Sequence, residues 1–134
     1  MNSRKEYYVK NRENNIDEIR ERNRIYHSYK MKNDLQFRIK KSMRSALHRC
    51  IHNKNYRKSS EILGYTAQQL ILRLECQFKN GMSWENYGLW EIDHKKPVSK
   101  FKNNTDPKII NALCNLQPLW ASENRSKSNS FTYL

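Results

Sequence analysis

The first 58 residues hold most of the positive charge of this 134-residue chain, and that concentration limits how they can fold. They contain 17 Lys and Arg against 6 Asp and Glu, whereas the remaining 76 residues contribute a net charge of only +2. Within them, residues 4–32 have neither glycine nor proline and only a thin stripe of apolar side chains. The pattern predicts a helix too polar to be stable alone, which is ordered by packing against another surface.

The net charge of the whole chain, +13 from 26 basic and 13 acidic residues, indicates a polyanionic partner. The asymmetry favours nucleic acid, with a membrane surface or an acidic protein as alternatives. The simplest alternative is that the basic residues only keep a helix solvated. We expect contacts to a nucleic-acid backbone, with an affinity that falls steeply as salt rises.

A second helix is predicted from Asp34, which has the side chain of a helix N-cap. The apolar residues that follow recur at three- and four-residue spacing, so one face of this helix is predicted to be core. These core residues are Leu35, Ile39, Met43 and Leu47. The opposite face and nearby loops carry the predicted DNA contacts, which are Lys40, Lys41, Arg44, Arg49, Arg57, Lys58, Lys95 and Lys96.

Length, cysteines and the first residues bound the class of protein. At 134 residues we expect one small module with a helical extension. Cys50, Cys76 and Cys114 are widely separated and form no CxxC pair, which argues against a zinc knuckle or a disulfide framework. The first residues have no apolar run, and no stretch reaches the length of a membrane span. We therefore expect a cytoplasmic, intracellular protein.

The second half of the chain alternates short helices with short strands. A capping box at Thr66 opens a helix predicted to end at Gly81. Strand material is predicted at Trp90, at Ile92 and again at Val98, and a second strand over 115–120, with Pro118 restricting that strand to an edge or a bulge. Short helices are expected from Asp106 to Leu113 and from a cap at Ser122 to Lys127.

Five polar residues of this half form the set that metal-assisted phosphodiester hydrolysis requires. Adjacent strand residues point to opposite sides, so Asp93 and His94 are suited to different tasks. Asp93, with an amide oxygen from Asn124, suits one Mg²⁺ or Mn²⁺ ion. His94 suits a general base, Asn115 a brace that holds the loop and the tautomer of the ring, and Lys127 a contact to the scissile phosphate or to neighbouring backbone. An isolated Asp-His pair is more often a surface turn.

The sequence Trp90-Glu-Ile-Asp-His-Lys-Lys-Pro97, followed by Asn115-Leu-Gln-Pro-Leu-Trp-Ala-Ser-Glu-Asn-Arg-Ser-Lys127, resembles the HNH endonucleases of phages and mobile elements. The resemblance spans about residues 59–127, because the lead-in from Glu61 also looks like that family. It implies a ββα-metal fold, with His94 as the general base, Asp93 as a metal ligand and Asn115 as the brace. Asn124 stands where many members have a final histidine, as in an HNN variant. Loss of that imidazole favours Mg²⁺ or Mn²⁺ over Zn²⁺ or Ni²⁺.

The resulting expectation is an α+β protein, mostly helical, with a small C-terminal ββα-metal module preceded by basic helices. Residues 1–58 are predicted to be a basic helical DNA-contacting extension, and residues 59–134 the nuclease domain with its helical lead-in. The predicted activity is metal-dependent nicking or double-strand cleavage of DNA. The alternatives are a non-catalytic DNA-binding module and an accessory subunit of a phage DNA-packaging or recombination machine. Double-stranded DNA is the expected partner, with a homodimer or a phage protein as further possibilities.

Overall fold

The computed structural model describes residues 3–50 and 58–131, apart from the side chains of Arg49 and Cys50. Contacts between Cα atoms group the chain into two compact units, residues 1–38 and residues 39–134. The predicted functional division into 1–58 and 59–134 is a different kind of boundary, and it stays a prediction. No helix in the described part of the chain is both long and apolar enough to cross a membrane.

The first unit contains two helices rather than the single helix predicted over 4–32. Helix α1 spans Arg4–Asn14 and helix α2 spans Ile16–Asn33. They are separated at Asn15, whose φ of −115° lies outside the helical range. A capping box between Ser3 and Glu6 begins α1, with hydrogen bonds of 2.8 and 3.3 Å. Neither helix contains a buried residue, as the thin apolar stripe predicts.

Helix α3 spans Leu35–Cys50 and begins as predicted. The Oδ1 atom of Asp34 accepts a hydrogen bond of 3.0 Å from the backbone N–H of Phe37, so the N-cap prediction is confirmed. Three of its four predicted core residues are buried and Leu35 is half-buried. The buried residues are Ile39, Met43 and Leu47.

A helical lead-in follows, with α4 over Ser59–Leu63 and α5 over Ala67–Glu75. Gly64 ends α4 with a φ of +78°, and Thr66 forms the predicted capping box with Gln69. The prediction that this second helix extends to Gly81 is wrong. After Glu75 the backbone tightens into three-residue turns, which places the ring of Phe78 5.0 Å from that of Trp90.

An antiparallel hairpin is the centre of the second unit. Strand β1 spans Trp90–His94 and pairs with β2, which spans Leu116–Trp120. Trp90 is fully buried in an aromatic cluster whose ring centroids lie 4.8–5.8 Å apart. The other members of this cluster are Phe78, Trp84 and Tyr87. The strand predicted at Val98 is wrong, because Val98–Lys100 forms a turn of 3-10 helix after Pro97.

The connection between the strands contains helix α6, Pro107–Ile110, and a 3-10 turn, Leu113–Asn115. Asp106 caps α6 as predicted, accepting 2.9 Å from the backbone N–H of Lys108, although the helix ends before the predicted Leu113. Helix α7, Ala121–Lys127, packs on both strands. Its predicted cap at Ser122 is wrong, since the helix begins directly after Trp120 without a side-chain cap. The α+β class is confirmed, and the hairpin with α7 positions the candidate site.

Candidate active site

The two faces of β1 carry different parts of the candidate site. Side chains alternate along a strand, so Glu91 and Asp93 lie on one face and His94 lies on the other with Trp90. Polar contacts from α7 reach the Glu91 and Asp93 face. The adjacent residues Asp93 and His94 are therefore separated by the strand, as the sequence predicts.

Asp93 is held by two hydrogen-bond donors and is largely shielded from solvent. The Nζ atom of Lys127 lies 3.2 Å from its Oδ2 atom and 3.5 Å from Oδ1. The side chains of this pair are only 9% and 12% exposed. Gln117, which faces Asp93 directly across the hairpin, donates from Nε2 to Oδ2 at 2.8 Å. These contacts fix the direction of the carboxylate.

Lys127 also donates a hydrogen bond of 2.9 Å to the backbone carbonyl of His94. One ammonium group is therefore in contact with both members of the Asp93-His94 pair. The sequence prediction placed Lys127 at the scissile phosphate or at neighbouring backbone. The structure shows the backbone contact, and it adds the contact to the Asp93 carboxylate.

Asn124, the second predicted metal ligand, lies one helical turn before Lys127 and points to the same face of β1. Its Nδ2 atom donates 2.7 Å to Oε2 of Glu91. Because the amide nitrogen is turned toward Glu91, Oδ1 is the atom of Asn124 that can be offered to a cation. Asp93 and Asn124 thus lie on one face, supplying a carboxylate and an amide oxygen, which are the ligand types that Mg²⁺ and Mn²⁺ take.

The ring of His94 is oriented by Asn111, a residue that is only 1% exposed. The Nε2 atom of His94 and the Oδ1 atom of Asn111 are 2.8 Å apart. The Nδ2 atom of Asn111 donates to the carbonyl of Pro107 at 2.9 Å, which leaves Oδ1 as an acceptor toward the ring. Nε2 therefore carries the proton, and Nδ1 is the basic nitrogen of the neutral imidazole.

Asn111 is itself held by Tyr65, which is 7% exposed. The hydroxyl of Tyr65 donates 2.7 Å to the backbone carbonyl of Asn111. Burial raises the pKa of Tyr65 to about 12, because the phenolate is poorly solvated there. The tyrosine therefore stays a hydrogen-bond donor throughout the neutral range.

Asn115 braces the loop that follows His94. Its Oδ1 atom accepts 2.9 Å from the backbone N–H of Lys96, and its Nδ2 atom donates to the carbonyls of Lys96 at 3.2 Å and Ile110 at 2.9 Å. The backbone carbonyl of Asn115 also accepts 2.8 Å from Lys95. Asn115 therefore fixes the two ends of the connection against each other, whereas the ring of His94 is contacted by Asn111.

The basic residues predicted to contact DNA occupy different environments. Lys40, Lys41 and Arg44 are exposed on α3, and Lys58 is exposed directly before α4. Lys95 and Lys96 are half-buried, and the Nζ atom of Lys96 lies 4.4 Å from the centroid of the Phe101 ring. The side chains of Arg49 and Arg57 lie outside the described part of the structure.

Sequence reasoning missed four residues that support the site. For Glu91 a signal was present, because a residue two positions before Asp93 in a strand lies on the same face. No local signal pointed to Gln117, whose contact depends on the pairing register of the hairpin. Asn111 and Tyr65 reach the site only through the path of the chain between the strands.

Two proteins of Acanthamoeba polyphaga mimivirus are similar in sequence to this chain. Uncharacterized protein L426 is 36% identical over 100 residues, a match that covers 72% of this chain and 44% of the relative. Uncharacterized protein L246 is 25% identical over 122 residues, covering 89% of this chain and 54% of the relative. The chain thus spans about half the length of the curated relatives that it matches. No protein-family profile and no solved structure matches the chain.

Proposed function

We propose that this protein is a metal-dependent endonuclease of the HNH type that hydrolyses phosphodiester bonds in DNA. The observation that supports this most is the separation of Asp93 and His94 on opposite faces of β1, each held by its own set of polar partners. A ligand for a cation and a proton acceptor must lie close together without pairing with each other. This arrangement meets that requirement.

The task proposed for His94 follows from its hydrogen bond to Asn111. With the proton on Nε2 and that nitrogen donating to Oδ1, Nδ1 is the atom that accepts a proton from the attacking water. Asn111 also stabilises the positive charge that the ring acquires, because its carbonyl dipole accepts from Nε2–H in both protonation states. Asn115 holds the loop after His94, so the position of the ring is maintained through turnover.

Asp93 and Asn124 are the residues proposed to hold one Mg²⁺ or Mn²⁺ ion. Both lie on the face of β1 that α7 contacts, and both offer oxygen atoms. Few protein ligands suffice, because Mg²⁺ retains several water molecules and takes phosphate oxygens as well. When bound, the ion stabilises negative charge on the phosphate and on the leaving 3′ oxygen.

The proposed substrate is double-stranded DNA, on the basis of charge. The chain carries +13, and Lys40, Lys41, Arg44 and Lys58 are exposed cations able to neutralise phosphates. Both relatives come from a large DNA-containing virus only in the sense that their source is mimivirus, and their printed names assign no activity. The proposal therefore depends on the site and on the charge of this chain.

Cleavage of supercoiled plasmid DNA tests the proposal. With Mg²⁺ or Mn²⁺ the wild-type protein is expected to produce nicked or linear product, and a chelator is expected to stop it. His94→Ala is expected to reduce the rate by about 10²–10⁴, the usual contribution of a general base. His48→Ala provides a matched control, because His48 is an exposed histidine of α3 outside the site. Salt-sensitive DNA binding without cleavage under any divalent metal would instead favour a non-catalytic DNA-binding module.

A further inference from the structure

The ammonium group of Lys127 lies against the carboxylate proposed to bind the metal. Its Nζ atom is 3.2 Å from Oδ2 of Asp93, and both side chains are nine-tenths shielded from solvent. Gln117 donates to the same oxygen, so the carboxylate cannot turn freely toward another partner. A divalent cation and this lysine therefore seek the same negative charge in the same small volume.

Two cations cannot both approach Asp93 closely at this level of burial without strong repulsion. The loss of solvent lowers the local dielectric and strengthens the repulsion between like charges. Arrival of a divalent ion thus weakens the contact between Lys127 and Asp93. The second acceptor of Lys127, the backbone carbonyl of His94, carries no net charge and remains available to it at 2.9 Å.

We propose that Lys127 takes the place of the metal on Asp93 in the metal-free protein, and that divalent metal binding displaces the ammonium group toward the scissile phosphate. This inference rests on the proposed function. The phosphate must lie near both Asp93 and His94, because one holds the ion and the other activates the water. Lys127 already contacts both residues, so a short movement of its side chain brings it to the phosphate.

The proposal predicts two effects of opposite sign for Lys127→Gln. Titration calorimetry with Mn²⁺ alone, in the absence of DNA, should show binding about tenfold tighter than in the wild type, since a partly buried charged hydrogen bond no longer competes. The cleavage rate at saturating Mn²⁺ should fall by about tenfold or more, because the phosphate loses a cation. A purely structural role for Lys127 would weaken both metal binding and cleavage.

Two further variants sharpen the test. Lys127→Arg keeps a cation on Asp93 and should bind Mn²⁺ no more tightly than the wild type. Lys79→Gln removes the exposed ion pair of 2.9 Å between Lys79 and Glu123, which also reaches α7, and should change neither property.

The outcomes separate this inference from the proposed function. If the wild-type protein binds Mn²⁺ and cleaves DNA, but Lys127→Gln binds Mn²⁺ with equal or lower affinity, the displacement mechanism is overturned while the nuclease proposal stands. If the wild type shows neither Mn²⁺ binding nor cleavage, both are overturned. Tighter Mn²⁺ binding together with slower cleavage supports both.

Discussion

Replacement of Asn111 by alanine tests whether the ring of His94 depends on the buried network beneath it. The change removes two side-chain hydrogen bonds, one with Nε2 of His94 and one with the carbonyl of Pro107. Each neutral hydrogen bond contributes about 1 kcal/mol net. The Pro107 carbonyl keeps the backbone N–H of residue 111 as a donor at 2.9 Å, so Nε2–H of His94 is the group left without this acceptor. Adding about 1 kcal/mol for that group gives an expected destabilisation of about 2–3 kcal/mol.

The expected effect on cleavage is larger than the fraction unfolded explains. A small domain with roughly 5–15 kcal/mol of stability remains folded after a loss of this size. Removing a residue that orients a catalytic side chain typically lowers activity by about 10–100-fold. Urea denaturation would measure the stability, and plasmid cleavage at saturating Mn²⁺ would measure the rate under conditions where the variant is folded.

Asn111→Asp separates the two contributions of this residue. A carboxylate oxygen still accepts from Nε2–H of His94, but no donor remains for the Pro107 carbonyl. This variant should lose stability while retaining more activity than Asn111→Ala. Asn103→Ala, an exposed asparagine in the same connection, is the control and should stay within about 0.5 kcal/mol of the wild type. A folded Asn111→Ala protein that cleaves DNA at the wild-type rate would refute the orienting role.

Three further predictions follow from other parts of the structure. The pKa of Tyr65 is raised to about 12 in the folded protein, so its stabilising contribution is complete below pH 10 and is lost as pH rises from 10 to 12. The loss reaches about 2.7 kcal/mol, and Tyr65→Phe should remove this part of the alkaline destabilisation in urea titrations. Ser128→Gly should stabilise the protein by about 1 kcal/mol in thermal unfolding, because Ser128 has a φ of +48° and a ψ of −123°. Replacing three exposed cations of α3 by glutamine should weaken DNA binding at low salt and reduce the slope of log affinity against log salt by up to about 2.7, as measured by fluorescence anisotropy; these are Lys40, Lys41 and Arg44.

Each of these has a result that would contradict it. An unchanged alkaline stability curve for Tyr65→Phe would show that the phenol does not titrate with unfolding. Ser126→Gly is the control for Ser128→Gly, and it should destabilise, because Ser126 lies inside α7 with an ordinary helical environment. A salt slope unaffected by the triple α3 substitution would place the phosphate contacts elsewhere on the chain.

Local chemistry made part of the fold readable from the sequence. The caps at Asp34, Thr66 and Asp106 were predicted because each needs only a side-chain oxygen and the next turn of backbone. The separation of Asp93 from His94 was predicted for a similar reason, since alternation along a strand is a property of the backbone alone. Buried positions of α3 followed from their spacing.

Features set by distant packing were not readable. The end of α5 depends on the attraction of Phe78 to Trp90, which competes with a further helical turn and which no local pattern reports. The hydrogen bond between Gln117 and Asp93 depends on a register that a shift of one residue would abolish. The contact between Asn111 and His94 depends on the whole path between the strands, so the sequence pointed to Asn115 as the brace but did not identify Asn111.

The hydrogen bonds of the candidate site have a consequence for how the protein acquires activity during folding. They join residues far apart along the chain, with separations of 17 positions for His94 and Asn111, 33 for Glu91 and Asn124, and 46 for Tyr65 and Asn111. Such contacts require closure of long loops, which is slow compared with helix formation. After dilution from denaturant, helical circular dichroism should therefore recover first and DNA cleavage last. During synthesis, the Glu91 contact cannot form until Asn124 has emerged from the ribosome, so a nascent chain lacking α7 is a basic, DNA-attracting protein without its complete site.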